Sequence, residues 1–403
     1  MKKNIYLDGA ANTPVDPKVY KAMKPFLTKG FVGNTAAIHE YGLYAGSKLE
    51  EFRESIAESL SVKSEEVYFT SGATEANNWV LTSIGMHELN KKGKYDKKKK
   101  HLVVSKIEHS SIMSACKFLE KAGFEITYID PNSSGIITPS AVKEALREDT
   151  LLVCVMAVNN ETGARNSITK IGEIAHANGS LMMSDCTQLL PMGGISIKIG
   201  GIFPSVDYFT FSTHKIYGPT GCGCLIAREN APLYPFIYGG SQEKGLRGGT
   251  SNLVGAAATA KALELMRKSQ YDHYESLYNY LMSQLRLRLK NRYFLNVYGG
   301  QPNIASINFS LMFSELNKRT PLAALLAPLG ISCSSGSACD ALLDLEDVPS
   351  HVLIAQKIPE DQILNTVRVS FTKYTTRKDI DIFINEILCL YNKLKESKSE
   401  DNL

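Results

Sequence analysis

The feature that most constrains this 403-residue chain is a repeated alternation along its first two thirds. Short apolar runs rich in β-branched and aromatic residues recur at Val67–Thr70, His101–Ser105, Glu125–Ile129, Leu151–Val158, Leu181–Ser184, Val206–Phe211 and Cys222–Ala227. A run of that length bounded by turn residues reads as a buried strand. Helical segments separate most of them. Strands alternating with helices imply a largely parallel α/β sheet with helices on both faces. In open sheets of this kind the ligand crevice lies outside the carboxyl ends of the strands. The residues that follow each run are therefore where chemistry is expected.

Those residues are polar at five strand ends. Val206–Phe211 runs into Ser212-Thr213-His214-Lys215 and then the turn Gly218-Pro219-Thr220-Gly221. A lysine at that edge can form a Schiff base with an aldehyde cofactor such as pyridoxal phosphate; the alternative is a solvated surface lysine. Val67–Thr70 opens into Ser71-Gly72-Ala73-Thr74-Glu75. A small-residue turn starting a helix exposes backbone N–H groups to an anion, with Thr74 adding a hydroxyl; the alternative is an ordinary capped helix start. The strand at 101–105 delivers Glu108-His109-Ser110-Ser111, whose His109 can stack on a flat cofactor and move protons or simply begin a helix. Two further ends carry Asn159-Asn160-Glu161-Thr162-Gly163 and Asp185-Cys186-Thr187-Gln188. An acid such as Asp185 is expensive to bury without a cationic partner, and a pyridinium nitrogen would be one. Any one cluster can be a cap or turn. Five together point to one site.

The remaining segments are less specific. Phe31–His39 is a loop ahead of an amphipathic helix near Tyr44–Leu60. The glycine-rich stretch Gly239–Thr250 reads as a mobile or anion-binding loop. Val254–Arg292 reads as one long helix leading to a second, smaller domain with strands at Ala305–Phe309 and Thr366–Phe371 and a helical C-terminus. Arg368, on the last of these strands, suits a fork for a substrate carboxylate; the alternative is a surface arginine. Of eight cysteines, Cys154 and Cys389 read as small core residues, and Cys222-Gly223-Cys224 lacks the second pair a metal site needs, so no metal is expected. Cys339, among the small residues of Ser334–Asp340, has the setting of an accessible nucleophile.

A net charge of +4 over this length implies neither nucleic acid nor membrane, and the basic run Lys91–Lys100 reads as a solvated connection. No stretch approaches the apolar length that spans a bilayer. The N-terminus meets Asp8 before any continuous apolar segment, so no signal peptide is expected and a cytoplasmic address is the default.

Taken together, Ser71-Gly72-Ala73-Thr74-Glu75, Val158-Asn159-Asn160-Glu161, Ser212-Thr213-His214-Lys215 and Ser334-Ser335-Gly336-Ser337-Ala338-Cys339 resemble the cysteine desulfurases, PLP enzymes of the class V aminotransferase group, from Tyr6 to about Tyr374. The loop around Cys339 is similar to that of the NifS/IscS branch. The resemblance implies the PLP-dependent transferase fold type I, with a mostly parallel seven-stranded sheet. It implies a large domain over 14–255, and a small one from 1–13 and 256–403 that carries the catalytic loop at about 331–348. It implies conversion of L-cysteine to L-alanine, with sulfur held on Cys339 as a persulfide for iron–sulfur cluster assembly or for tRNA or cofactor thiolation. Lys215 would be the Schiff-base lysine, Asp185 would pair with the pyridinium nitrogen and His109 would stack on the ring. Ala73, Thr74, Ser212 and His214 would hold phosphate. Gln188 and Asn160 would contact the ring-oxygen side, and Thr250 would reach the phosphate of a neighbouring subunit in a homodimer. Asn34, Asn160 and Arg368 would meet the substrate, and a sulfur-acceptor protein would take the product. The alternatives are a selenocysteine lyase or another class V PLP enzyme, and an inactive binding partner of the same fold. This chain departs from the family at Thr35, where Gly-Asn is usually followed by proline, at Asp340 beside the thiol, and in a short tail after Ile387.

Overall fold

The computed structural model describes residues 4–28, 33–90, 99–192, 203–266, 268–296, 306–312, 321–335 and 350–400. Cys339, Asp340, Phe31, Val32 and most of the basic run at 91–100 lie outside them. Twelve strands are present in the described residues: β1 (Ile5–Tyr6), β2 (Val67–Thr70), β3 (His101–Ser105), β4 (Glu125–Ile129), β5 (Thr150–Cys154), β6 (Leu181–Asp185), β7 (Tyr208–Ser212), β8 (Gly223–Ala227), β9 (Tyr293–Leu295), β10 (Ser306–Leu311), β11 (Ile331–Ser332) and β12 (Thr366–Ser370).

β2 to β8 form one seven-stranded sheet in the order β2-β8-β7-β6-β5-β3-β4. Only β8 runs against its neighbours β2 and β7; the other pairs are parallel. Every residue of β3, β5, β7 and β8 is buried, as strands covered on both faces must be. The two-residue side-chain period divides them between two cores. Val103 packs with Ile56, Ile171 and Phe209 on one face. Its neighbours Leu102 and Val104 pack with Trp79, Ile112 and Leu119 on the other. The parallel pairing of β3, β5, β6 and β7 leaves their carboxyl ends at one edge.

A third core gathers Ile5 and Leu7 with Tyr274, Leu281, Phe309, Val367, Val369, Phe383 and Ile387. It surrounds the antiparallel sheet β12-β10-β9 and the parallel pair β1-β11. The N-terminal strand is therefore built into the C-terminal unit.

Two expectations are corrected here. The long helix over 254–292 is broken: helices run over Leu253–Glu264 and Lys268–Gln284, with a π-helical turn at Leu285–Leu289 before β9. The first, alanine-rich, packs Ala256, Ala258 and Ala260 into the sheet core. The second packs Tyr274, Leu277 and Leu281 into the other core. One apolar period spans both, but each face serves a different core, so the axis must change. Cys389 is exposed rather than core. On the helix Arg377–Glu400 the buried face is carried by Phe383, Ile384 and Ile387. A residue two beyond Ile387 is turned about 200° from it.

The glycine-rich segment is fastened. Glu243 and Lys244 adopt left-handed φ values of 46° and 60°, a strained conformation for residues with a Cβ. Arg53 holds them there: its guanidinium donates to both Glu243 oxygens at 2.9 and 3.0 Å, and to Val67 O at 2.6 Å. The Phe69 N–H also donates to Glu243, at 3.1 Å. Farther along, Arg247 makes a bidentate pair with Glu75 in the first turn of the helix Ala73–Asn90. The arginine of this segment is thus paired with a carboxylate, which disfavours the anion-binding reading. Arg53→Ala leaves the buried Glu243 carboxylate without its cation, and should lower stability by about 3–5 kcal/mol, read as a shift in the urea midpoint at unchanged m-value.

Candidate active site

At the carboxyl edge of the sheet is a cavity of 180 Å³. Ala73 and Thr74 reach it from the helix that follows β2, and His109 from the turn after β3. Asn160 comes from the segment after β5, and Asp185 and Gln188 from the end of β6. Ser212, His214 and Lys215 come from the end of β7, and Arg368 from β12 of the other unit. Ten residues singled out along the sequence therefore line one space. Asn34 and Thr250 are not among its lining residues and are exposed; Asn34 instead accepts the Ala36 N–H at 3.0 Å in its own turn.

Lys215 sits in a single turn of 3-10 helix after β7. Its Nζ donates to Ala10 O at 2.7 Å and Ala11 O at 2.6 Å. Gln188 Nε2 donates to the same Ala10 carbonyl at 2.9 Å. The segment after β1 thus forms a wall of the cavity, which periodicity could not have shown, because small residues in a turn carry no local signal. Gly9 is required there: a Cβ at that position would stand 2.3 Å from Phe371 O.

Asp185 is buried, and its carboxylate is fixed by two donors. The Thr187 N–H reaches Oδ1 at 2.9 Å, and Asn77 Nδ2 reaches Oδ2 at 2.9 Å. At the start of the helix Ala73–Asn90, the Ala73 N–H donates to Ser212 Oγ at 2.8 Å. Gly72, at φ 152°, lets the backbone pass beside that hydroxyl. His214 is held down to about 4 by burial and then by the charge of Lys215, so it is a neutral ring at pH 7.

Arg368 is 1% exposed, so the surface-arginine alternative fails. It donates to Asp8 Oδ1 at 2.8 Å and to Asn160 O at 2.8 Å, while its buried Nε has no partner among the described residues. Asp8 also accepts from Ser334 Oγ with both oxygens at 2.9 Å. The stem of the segment bearing Cys339 is thereby tied to the arginine. Asp8 was missed along the sequence, since its role depends on contacts more than 300 residues away.

Beside His109, Glu108 is fully buried. Its Oε1 accepts from Ser105 Oγ and from the Met156 N–H at 2.7 Å, while Oε2 has no partner among the described residues. Burial pushes its carboxyl up to about 8 from 4.5. Between those values the folded protein keeps a proton that the unfolded chain has released. Stability therefore falls as pH rises through that window, by about 1.4 kcal/mol per pH unit. Glu108→Gln should remove this slope, so its melting temperature relative to the unsubstituted protein should climb from pH 4.5 to pH 8.

Comparisons with known proteins agree with this arrangement. The family model Aminotransferase class-V matches residues 5–383. The cysteine desulfurase IscS of Dictyoglomus turgidum is 36% identical over 98% of this chain and 96% of its own. That of Acinetobacter baumannii is 38% identical over 98% and 95%. Among solved structures, a NifS-like protein superposes with a TM-score of 0.82 at 28% identity, covering 98% of this chain and 99% of that one. SspA in complex with cysteine gives 0.75 at 31%, covering 92% and 100%. With seven strands in one mostly parallel sheet and the lysine, aspartate and histidine converging at its carboxyl edge, the chain belongs to the class V aminotransferase family, as an enzyme of the NifS/IscS cysteine desulfurase type.

Proposed function

We propose that this enzyme removes sulfur from L-cysteine, leaving L-alanine, and carries it as a persulfide on Cys339. The observation that carries the reading is the convergence of Lys215, Asp185, His109 and Arg368 on one cavity. Its donor set fits pyridoxal 5'-phosphate: a lysine amine, a buried carboxylate, a flat imidazole and a helix start among hydroxyls. When bound, that group supplies an electron sink at the substrate Cα. Lys215 would hold its aldehyde carbon, Asp185 its ring nitrogen and His109 its ring face. Gln188 and Asn160 would meet the ring-oxygen side, with Ala73, Thr74, Ser212 and His214 at the phosphate.

The chain's own residues then act on the substrate. Arg368 and Asn160, which line the cavity, hold it, and the buried Nε of Arg368, without a partner among the described residues, suits a carboxylate. Lys215 and His109 move protons. The Cys339 thiolate forms an S–S bond to the substrate sulfur as the Cβ–S bond breaks; the electron pair stays on carbon, and a proton completes the methyl group of alanine. Cys339 is the thiol suited to this. Burial pushes Cys116 and Cys333 up to about 12 and raises Cys154, Cys186, Cys222 and Cys224, so these stay protonated; Cys389 is exposed on the C-terminal helix and does not line the cavity.

The active assembly is a homodimer in this reading. Ile38 is 93% and Tyr238 86% exposed. The segments bearing them meet around a second cavity lined by Thr35, Gly46, Gln242 and Ser251, next to exposed Thr250. A light-scattering mass near twice 44.3 kDa is expected; a monomer would sink this part. Persulfide sulfur then passes to an acceptor protein, with no direct role for nucleic acid or membrane. No helix among the described residues is long and apolar enough to cross a membrane. A nucleophilic thiol must stay reduced, which suits the cytoplasm. The test is to mix the purified protein with L-cysteine, count alanine and map the persulfide by mass spectrometry. Bound PLP without alanine would overturn the substrate assignment.

A further inference from the structure

We infer that Asn77 is a positioning residue that ties the carboxylate of Asp185 to the ring of His109 through the Ser111 hydroxyl. The inference rests on the desulfurase reading and goes beyond it, since neither Asn77 nor Ser111 lines the cavity. Asn77 is 0% exposed, in the second turn of the helix Ala73–Asn90. Asp185 and Thr210 are register partners on β6 and β7, so their side chains share the sheet face on which that helix lies. Thr210 Oγ1 donates to Asn77 Oδ1 at 2.6 Å. Asn77 Nδ2 donates to Asp185 Oδ2 at 2.9 Å and to Ser111 Oγ at 3.0 Å. The amide has no alternative orientation: flipped, its oxygen would face the carboxylate.

The chain continues to the imidazole. Ser111 Oγ lies 2.9 Å from His109 Nδ1, and the Ser111 N–H donates to the same nitrogen at 3.2 Å. A backbone N–H cannot accept, so Nδ1 is the unprotonated nitrogen. With Ser111 Oγ already accepting from Asn77, its own proton is directed to Nδ1 as well. The neutral ring therefore carries its proton on Nε2. A single amide thus helps to hold the carboxylate that would face the cofactor's ring nitrogen and, through the Ser111 hydroxyl, the ring that would stack on it. The coupling needs no contact with the reacting atoms.

The test compares Ser111→Ala, Ser111→Thr and Asn77→Ala with the unsubstituted enzyme. It reads the affinity for PLP from the visible absorption, and kcat and KM for L-cysteine separately. Ser111→Ala removes the hydroxyl donor to His109 Nδ1 but keeps the backbone one, so the tautomer stays and the ring loses half of its hold: kcat should fall about tenfold, with PLP affinity and KM unchanged, and Ser111→Thr, which keeps the hydroxyl, should restore it. Asn77→Ala should show the same loss in kcat and also bind PLP about tenfold more weakly, in keeping with one lost hydrogen bond to a charged group. A wild-type kcat in Ser111→Ala, or wild-type PLP affinity in Asn77→Ala, would overturn the inference. Should Asn77→Ala fail to fold, the serine pair decides alone. If the unsubstituted protein binds no PLP, the desulfurase reading fails first and this inference with it.

Discussion

Lys215→Ala should abolish alanine formation from L-cysteine, with a loss of at least ~10⁴-fold, the upper range for removing one positioned acid–base group. Two roles fall on this amine in the proposed chemistry, holding the aldehyde cofactor and carrying a proton. The structure gives it the setting for both. It stands at the end of β7, inside the cavity, held by the carbonyls of Ala10 and Ala11. Alanine there removes the amine without touching the strand, because the buried residues of β7 end at Ser212. The protein should fold and lose the visible absorption of a covalently held cofactor. Retained absorption and turnover would refute the assignment.

Cys339→Ser should keep the coloured cofactor and lose the persulfide. A serine hydroxyl has nearly the shape of the thiol, but it is far from ionised at pH 7 and is a poor nucleophile toward sulfur. Sulfur transfer should fall to background, while cofactor absorption and its response to added L-cysteine persist. Mass spectrometry of the peptide that includes position 339, before and after L-cysteine, reads the outcome. Sulfide release at the unsubstituted rate would remove Cys339 from the mechanism. A persulfide on Cys389, the exposed cysteine among the described residues, would move the role there. The two substitutions separate cofactor chemistry from sulfur acceptance.

Much of this site was legible before any tertiary contact was known, for a physical reason. Buried strands must be apolar along their length, so a polar residue where a run ends stands out. Asp185, Lys215 and His109 each stand at or just beyond such an end, and a parallel sheet brings like ends to one edge. Arg368 was visible as an odd charge on an apolar strand, although its complete burial was not. Asn77 was invisible as a functional residue: it lies inside a helix, and asparagine there has no distinguishing period. Its meaning comes from β6 and β7 presenting Asp185 and Thr210 side by side. Asp8 carried no signal of its role along the chain, because its partners Arg368 and Ser334 are distant in it.

The helix break between Glu264 and Lys268 teaches the same lesson from the fold. Hydrophobic period is a local property, and it established that both segments are helical. Which core each helix enters is set by packing between units, so the change of axis could not be read from spacing. By itself the sequence determined the alternation of strands and helices, the edge where chemistry gathers and the residues with reactive groups. Tertiary structure alone decided how those groups are oriented. Hydrogen bonds such as Asn77 to Asp185 and Arg368 to Asp8 join residues that no local pattern connects, and only folding brings them within 3 Å.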